Sequence, residues 1–456
     1  MWQNHYGGDG YEGALSHLPG ISIIQASDGY IVCGNFQTLD TITNQYVVKT
    51  DFEGTKIWNF NVGIQGESDM CKSNIKALNG DYFMAGKASF QGAIGNPIDV
   101  RLTKFTDEGD VLFSKIIECN NYQSIANDVC YTPDSNYIAA CASNQNIILL
   151  KFDSNGDTIW SKRPLPDSIG SAAPIFFQPL PDFSAYYGIT YQNSTKKHWF
   201  KTDTAGNLLA IKQLVLPGNE DEIFEIYKTI MLPSGNIMLH GRGFASIASD
   251  TVCLQPGGYY GVLHEYDLQG ELVRERKFCP PLEGGNTYYE YFDDFTVNAD
   301  GSIYMIRRTR LKKLDANWQD VWEYELDLAP EVNLLKVSQF EPNYLIAAGE
   351  LWIDIENTDI FMCKIALPEA IGVEENEEEL TFNTYPNPTT GQLTLESSIP
   401  GVTAYIIIAL DGRLVTQGNF TMRSDLNIGS LSAGTYYLEM ADADGNIHYR
   451  TLIAKQ

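Results

Sequence analysis

No stretch of the 456 residues comes near the roughly 20 consecutive apolar residues that a membrane-spanning helix needs. Helical periodicity is missing too: no segment places apolar residues at a sustained 3.6 spacing. Basic charge is scarce. Lys and Arg total 31 against 58 Asp and Glu, a formal net charge of −27. A nucleic-acid partner needs a basic surface for its phosphates and is excluded on that ground. The acidity serves solubility, with binding of cations or basic partners as the lesser reading. The eight cysteines contain no C-x-x-C pair, which argues against a zinc cluster. The six histidines (His5, His17, His198, His240, His264 and His448) form no H-E-x-x-H pattern, and no G-x-S-x-G elbow occurs. The opening MWQNHYGG has no apolar core of a secretory leader, so an exported form is expected to start here after leader removal.

What the chain has in abundance is a repeat. Lys151 to Trp160 reads KFDSNGDTIW, and related segments are KTDFEGTKIW (Lys49 to Trp58), KFTDEGDVLF (Lys104 to Phe113), KTDTAGNLLA (Lys201 to Ala210), EYDLQGELVR (Glu265 to Arg274) and KLDANWQDVW (Lys313 to Trp322). An Asp or Thr at the turn start can accept bonds from backbone N–H groups just downstream. The Gly three residues later supplies the positive φ of a bulged hairpin loop. Only the last copy breaks the rule, with Trp318 in place of Gly. The flanks alternate apolar and polar, as strands do.

A second hairpin signal precedes each of the six copies and recurs a seventh time after the last. Its turns centre on Asp28-Gly29, Gly80-Asp81, Asp134-Ser135, Pro181-Asp182, Ser234-Gly235, Asp300-Gly301 and Glu341-Pro342. Units of about 40 to 50 residues with four strands each mark propeller blades. The final unit, through Asp359 to Leu367, lacks a turn-plus-Trp strand, while the chain opens on Trp2. The spacing therefore predicts an all-β protein. It starts with a seven-bladed β-propeller over residues 1–367, closed by its N-terminal strand in the last blade.

In such a meander the first and third turns share one face, and here both are tight. The insertions fall on the other face: Lys87 to Asp99, Arg163 to Ala173, Ala245 to Gly258, Cys279 to Asp293 and Trp352 to Asp359. Long loops on a rigid scaffold are where binding usually resides. Cys253 and Cys279 lie in two long loops of one blade and form the candidate disulfide, with Cys71 and Cys119 as a weaker pair. Cys33, Cys130, Cys141 and Cys363 sit in strand-like runs as buried thiols. No catalytic residue, cofactor or metal site is assigned. Calcium is the alternative for the Asp153–Asp157 and Asp442–Asn446 loops, though hairpin turns explain both better. The periodic Trp58, Trp160 and Trp322 read as blade packing rather than sugar platforms.

After Leu367 the composition changes. An acidic linker, 368–380, carries Glu374, Glu375, Glu377, Glu378 and Glu379. Residues 381–456 then show alternating strands and Gly/Asp turns, predicting a small antiparallel β-sandwich of at most seven strands. Its motifs are Tyr385-Pro386-Asn387-Pro388 with Gly391, then Gly412-Arg413, then Leu431-Ser432-Ala433-Gly434-Thr435-Tyr436-Tyr437, and Lys455 near the end. The segment resembles the type A C-terminal sorting domain of the type IX secretion system of Bacteroidota. It departs from that pattern in the residues ALD before Gly412-Arg413. The resemblance implies the type IX machinery as partner, and a secreted or outer-membrane cell-surface location. The propeller repeats also resemble PQQ-like bacterial repeats. No cofactor is implied, since no adjacent Cys-Cys pair and no eighth unit occur. The sialidase Asp box, with Gly two after Asp, is not matched, since Gly156 is three after Asp153.

These features point to a secreted or cell-surface propeller acting as a binding, adhesion or scaffold module for a protein or glycan through its long-loop face. The alternative is a secreted glycan-degrading hydrolase or lyase with acids at the channel mouth, where Asp99, Glu283, Asp293 and Asp294 are the candidates. A purely structural surface component is the third reading.

Overall fold

The structure is a computed structural model. It describes the chain apart from residues 1, 8–10, 14–21, 38–42, 64–66, 78–79, 91–97, 118–123, 144–145, 170–172, 181, 192–195, 215–222, 233, 245–258, 280–288, 355–356, 368–381, 398–401, 410–412, 421–422 and 443–446. The chain forms two compact units, Met1–Ala370 and Ile371–Gln456. Among the described residues the only helical element is the single 3-10 turn Asp167–Ile169.

The first unit has a β-propeller fold. Five of its sheets carry a four-strand antiparallel meander in chain order, such as Ser124–Tyr131, Tyr137–Ser143, Ile147–Phe152 and Thr158–Lys162. A further sheet of nine strands holds two more sets. One is Ser22–Gln25, Gly29–Gln37, Thr43–Asp51 and Lys56–Val62. The other is Val332–Glu341, Tyr344–Asp354 and Asn357–Ala366, beside which Trp2–Tyr6 pairs antiparallel from Trp2↔Lys364 to Tyr6↔Ile360. The short strand Tyr11–Gly13 joins the two sets, parallel to one at Tyr11↔Thr358 and antiparallel to the other.

The burial pattern follows strand position. Third strands such as Ile147–Phe152 are buried throughout, sandwiched between neighbouring sheets. Outer strands such as Lys56–Val62 alternate exposed and half-buried residues. Four of the sets also carry a recurring ion pair near their tight turns. Lys49 reaches Asp28 at 2.7 Å, Lys104 reaches Asp81 at 3.0 Å, Lys151 reaches Asp134 at 2.6 Å and Lys364 reaches Glu341 at 2.7 Å. The lysine stems are buried and the carboxylates lie at the turn, so packing and charge are both satisfied.

The repeated hairpins have the geometry their residues dictate. Asp153 Oδ1 accepts from the N–H groups of Asn155 and Asp157, both at 2.9 Å. Asp51, Asp203, Asp267 and Asp315 do the same two and four residues on, and Thr106 does so through its hydroxyl. Gly156 has φ 77° at the bulge. The Asp153 side chain is thus a turn acceptor, as expected; residues 443–446 of the second Asp-rich loop lie outside the described residues.

Each such Gly also makes room for the neighbouring sheet. A Cβ on Gly206 would lie 2.7 Å from the Trp160 ring, and one on Gly109 would lie 2.9 Å from Trp58. Gly54 bears the same relation to Trp2, at 2.5 Å.

The second unit has two sheets. One is Phe382–Tyr385, Gln392–Ser397 and Arg423–Asn427; the other runs Leu414–Asn419, Val402–Ala409, Gly434–Asp442 and Ile447–Lys455. Leu393, Leu395, Ile407, Leu438, Met440 and Ile453 form their shared core.

Candidate functional site

The first strand of each set lines a central cavity of about 1570 Å³. In five of these strands the ladder slips by one residue, between Cys71 and Ser73, Ala126 and Asp128, Pro174 and Phe176, Ile226 and Lys228, and Leu334 and Lys336. A bulge re-aims the extra side chain. The five bulged residues, Lys72, Asn127, Ile175, Tyr227 and Leu335, all border the cavity.

The residue after two of these bulges serves a buried carboxylate of the next sheet. Asp128 accepts from Ser73 Oγ at 3.0 Å, and from Val129 N–H and Phe177 N–H, both at 2.9 Å. Gln178 Nε2 adds a bond at 3.2 Å. Burial raises the Asp128 carboxyl above its ordinary range, and these donors offset only part of that. Asp294 repeats the arrangement. It holds Lys228 at 3.0 Å and accepts from Val337 N–H at 2.9 Å. Each carboxylate therefore ties three successive sheets together. Lys336 lies 3.8 Å from Asp294.

Other charges on the wall are also engaged. Arg242 donates to Glu225 at 2.7 Å, and its guanidinium stands 4.5 Å from the Tyr259 ring centre and 5.2 Å from that of Tyr291. Burial lowers Lys197 to about 8. Lys72 differs. Among the described residues it has no carboxylate or hydrogen-bond partner, and burial, then the neighbouring Lys87, lowers it to about 8. Burial lowers Lys87 as well. Exposed aromatics complete the wall: Tyr131 is 37% exposed with Phe183 5.4 Å away, and Tyr191 is 43% exposed with the Lys197 amine 5.9 Å from its ring centre.

Of the acids expected at the channel mouth, Asp293 and Asp294 do line the cavity. Asp294 is an inter-sheet clamp with a lysine partner, which leaves it poorly suited to act as a free acid or base. Asp99 sits opposite Ala88 in the ladder and outside the cavity lining, and Glu283 lies outside the described residues. Among the described residues no group of three or more His, Cys, Asp or Glu could hold a metal. A smaller cavity of about 410 Å³ borders the N-terminal strand, where His5 bonds Asp359.

The sequence reasoning missed Lys72 and Asp128. The available signal was the break in strand alternation within SDMCKSNIKA and SIANDVCY, where inward and outward positions slip by one.

Cys279 is disulfide-bonded, while Cys253 lies outside the described residues. Cys33, Cys71, Cys130, Cys141 and Cys363 are free and buried.

In the second unit the predicted motif residues converge. Asn387 donates from Nδ2 to Leu452 O at 2.8 Å and accepts from Ala454 N–H at 2.9 Å, pinning the turn with Pro386 and Pro388 to the last strand. Gly391 accepts from Ile428 N–H at 2.7 Å. Gly434 pairs with Lys455, and Tyr436 donates to Ser432 O at 2.8 Å. Tyr436 also faces Ala409, whose N–H bonds Arg413 O at 2.9 Å. Gly412 lies outside the described residues.

Residues 383–455 match the family model of the secretion system C-terminal sorting domain. Among curated proteins there is no match. Solved structures resemble the chain at low identity. A periplasmic gluconolactonase of Pseudomonas aeruginosa is 12% identical, with 71% of this chain and 87% of that one covered and a TM-score of 0.45. The Pan2 WD40 domain of Neurospora crassa is 10% identical, with 78% and 91% covered and a TM-score of 0.47. A protein of unknown function from Dyadobacter fermentans is 10% identical, with 80% and 98% covered and a TM-score of 0.41. The C-terminal unit is thus a sorting domain, which implies export to the surface or the medium.

Proposed function

We propose that the chain is an exported binding protein: a seven-bladed propeller, closed by Trp2–Tyr6, that takes its ligand in the central cavity and the adjoining long-loop face. The C-terminal unit is its address, read by the type IX machinery, and takes no part in binding. The observation that carries this reading is the belt of five bulges. Each turns one side chain, of varied chemistry, into a single large cavity. A fold that needed only to pack would not have to open the same ladder position in sheet after sheet. The reading also keeps Cys253 as the partner of Cys279, fastening two long loops of one blade.

Two experiments test it. A broad glycan and protein array should give hits that Ile175→Trp, which fills the cavity, abolishes. Hits indifferent to that variant, or none at all, would refute the cavity as the binding site. Removal of residues 384–456 in the native host should leave the protein in the periplasm; unimpaired export would refute the address.

A further inference from the structure

We propose that the cavity is selective for a short acidic saccharide, whose carboxylate or sulfate docks on Lys72 with Lys87 behind it. This rests on the reading of the cavity as the ligand site. Acids outnumber bases almost two to one in the chain, and they supply partners freely elsewhere. Lys49, Lys151, Lys228 and Lys364 each have a carboxylate within 2.6–3.0 Å. Lys72, half-buried on the cavity wall, and Lys87, half-buried and near enough to lower it, have none among the described residues. Two like charges without a counter-charge in a partly desolvated place destabilise the fold. An anion from outside would satisfy both.

The rest of the wall indicates what carries the anion. The exposed faces of Tyr131 and Tyr191 suit the C–H faces of sugar rings. The volume exceeds that of a drug-sized pocket and accommodates several rings. A long polyanion is disfavoured, because a net charge of −27 repels it before it reaches the two lysines. One or two acid groups on a short saccharide are what the site can take.

The test is isothermal titration of the full chain at low salt with three probes: trigalacturonate, a sulfated chondroitin disaccharide and neutral maltotriose. At least one acidic probe should bind about tenfold or more tightly than maltotriose, as a charge-assisted contact would give. Lys72→Met should abolish that preference and leave maltotriose unchanged, while Lys72→Arg keeps it. The two acidic probes distinguish a carboxylate from a sulfate site. Thermal unfolding of Lys72→Met should be unchanged or higher, since an unpaired half-buried charge is removed. The inference is overturned if neither acidic probe binds, if neither outcompetes maltotriose, or if Lys72→Met binds like wild type. An array hit sensitive to Ile175→Trp would still uphold the cavity as a site, so the two failures separate.

Discussion

Lys72 shows how one residue's surroundings set both stability and recognition. Burial and the positive Lys87 lower its amine to about 8, while the adjacent Cys71 thiol, pushed up to about 12 by burial, stays neutral. In the unfolded chain a lysine titrates near 10.4. The unfolded state therefore binds more protons between about pH 8 and 10.4, and stability from this group rises with pH across that window. Below about pH 8 the full penalty is present. Anion affinity should move the opposite way, because docking requires the ammonium. The affinity advantage of wild type over Lys72→Met for an acidic saccharide should be greatest near neutral pH and fade above about pH 8. Titration calorimetry across that range checks it, and an advantage that persists unchanged to about pH 10 would contradict it. The cysteines offer a second check at this scale. Labelling the denatured chain should find eight thiols after reduction and two fewer before, if Cys253–Cys279 is the sole bond. The break in strand alternation marks the bulges at Lys72 and beside Asp128 but says nothing of what either residue does. The isolation of Lys72 depends on which acids other sheets bring near, and the clamp at Asp128 joins Ser73 to Phe177 across more than 100 residues.

At the scale of the element, the hairpin explains its own exception. In three sheets a Trp on the outer strand covers the glycine of the following turn: Trp2 on Gly54, Trp58 on Gly109 and Trp160 on Gly206. Where the outer strand has Arg274 instead, the following turn has Trp318, with φ 64° and its side chain buried. The Arg274 guanidinium lies 3.9 Å from that ring's centre. The aromatic has moved from strand to turn, and the pair still fills the gap. A bulky residue in the left-handed region costs about 1–2 kcal/mol, while loss of a buried Trp costs about 3–5 kcal/mol. Trp318→Gly should therefore destabilise by about 2 kcal/mol in urea unfolding despite relieving the backbone. Adding Arg274→Trp should restore the arrangement of the other sheets and recover at least half of the loss. A strictly additive double variant would show that the two positions do not compensate. The turns themselves were legible, since Asp and Gly at fixed spacing determine local geometry. The inner-strand bulges showed only as breaks in alternation, because a bulge is a property of register between two strands.

For the whole molecule, the sequence offered a short final unit and an orphan Trp at the start, and the two are joined in the structure. Trp2–Tyr6 pairs over five residues with Asn357–Ala366, and the Trp2 ring donates to Phe52 O at 2.8 Å while covering Gly54. One strand thus contacts the last set by its ladder and the first by its side chain. Tyr11–Gly13, which no pattern announced, adds a second link between the same two sets. Three residues are too few to show periodicity. We expect this junction to be the weakest point of the first unit, because elsewhere successive sheets are held by chain connectivity as well as packing. Trp2→Ala should cost about 2 kcal/mol, less than a fully buried Trp because the ring is only half-buried. Removing residues 1–7 should do more than lower the melting temperature. It strips the partner from Asn357–Ala366 and leaves an apolar edge strand open to pairing with another copy. Sedimentation velocity over a concentration series should show the truncated chain associating where the full chain stays monodisperse. A truncated chain that remains monomeric with an unchanged melting temperature would mean that the N-terminal strand decorates the ring and does not close it.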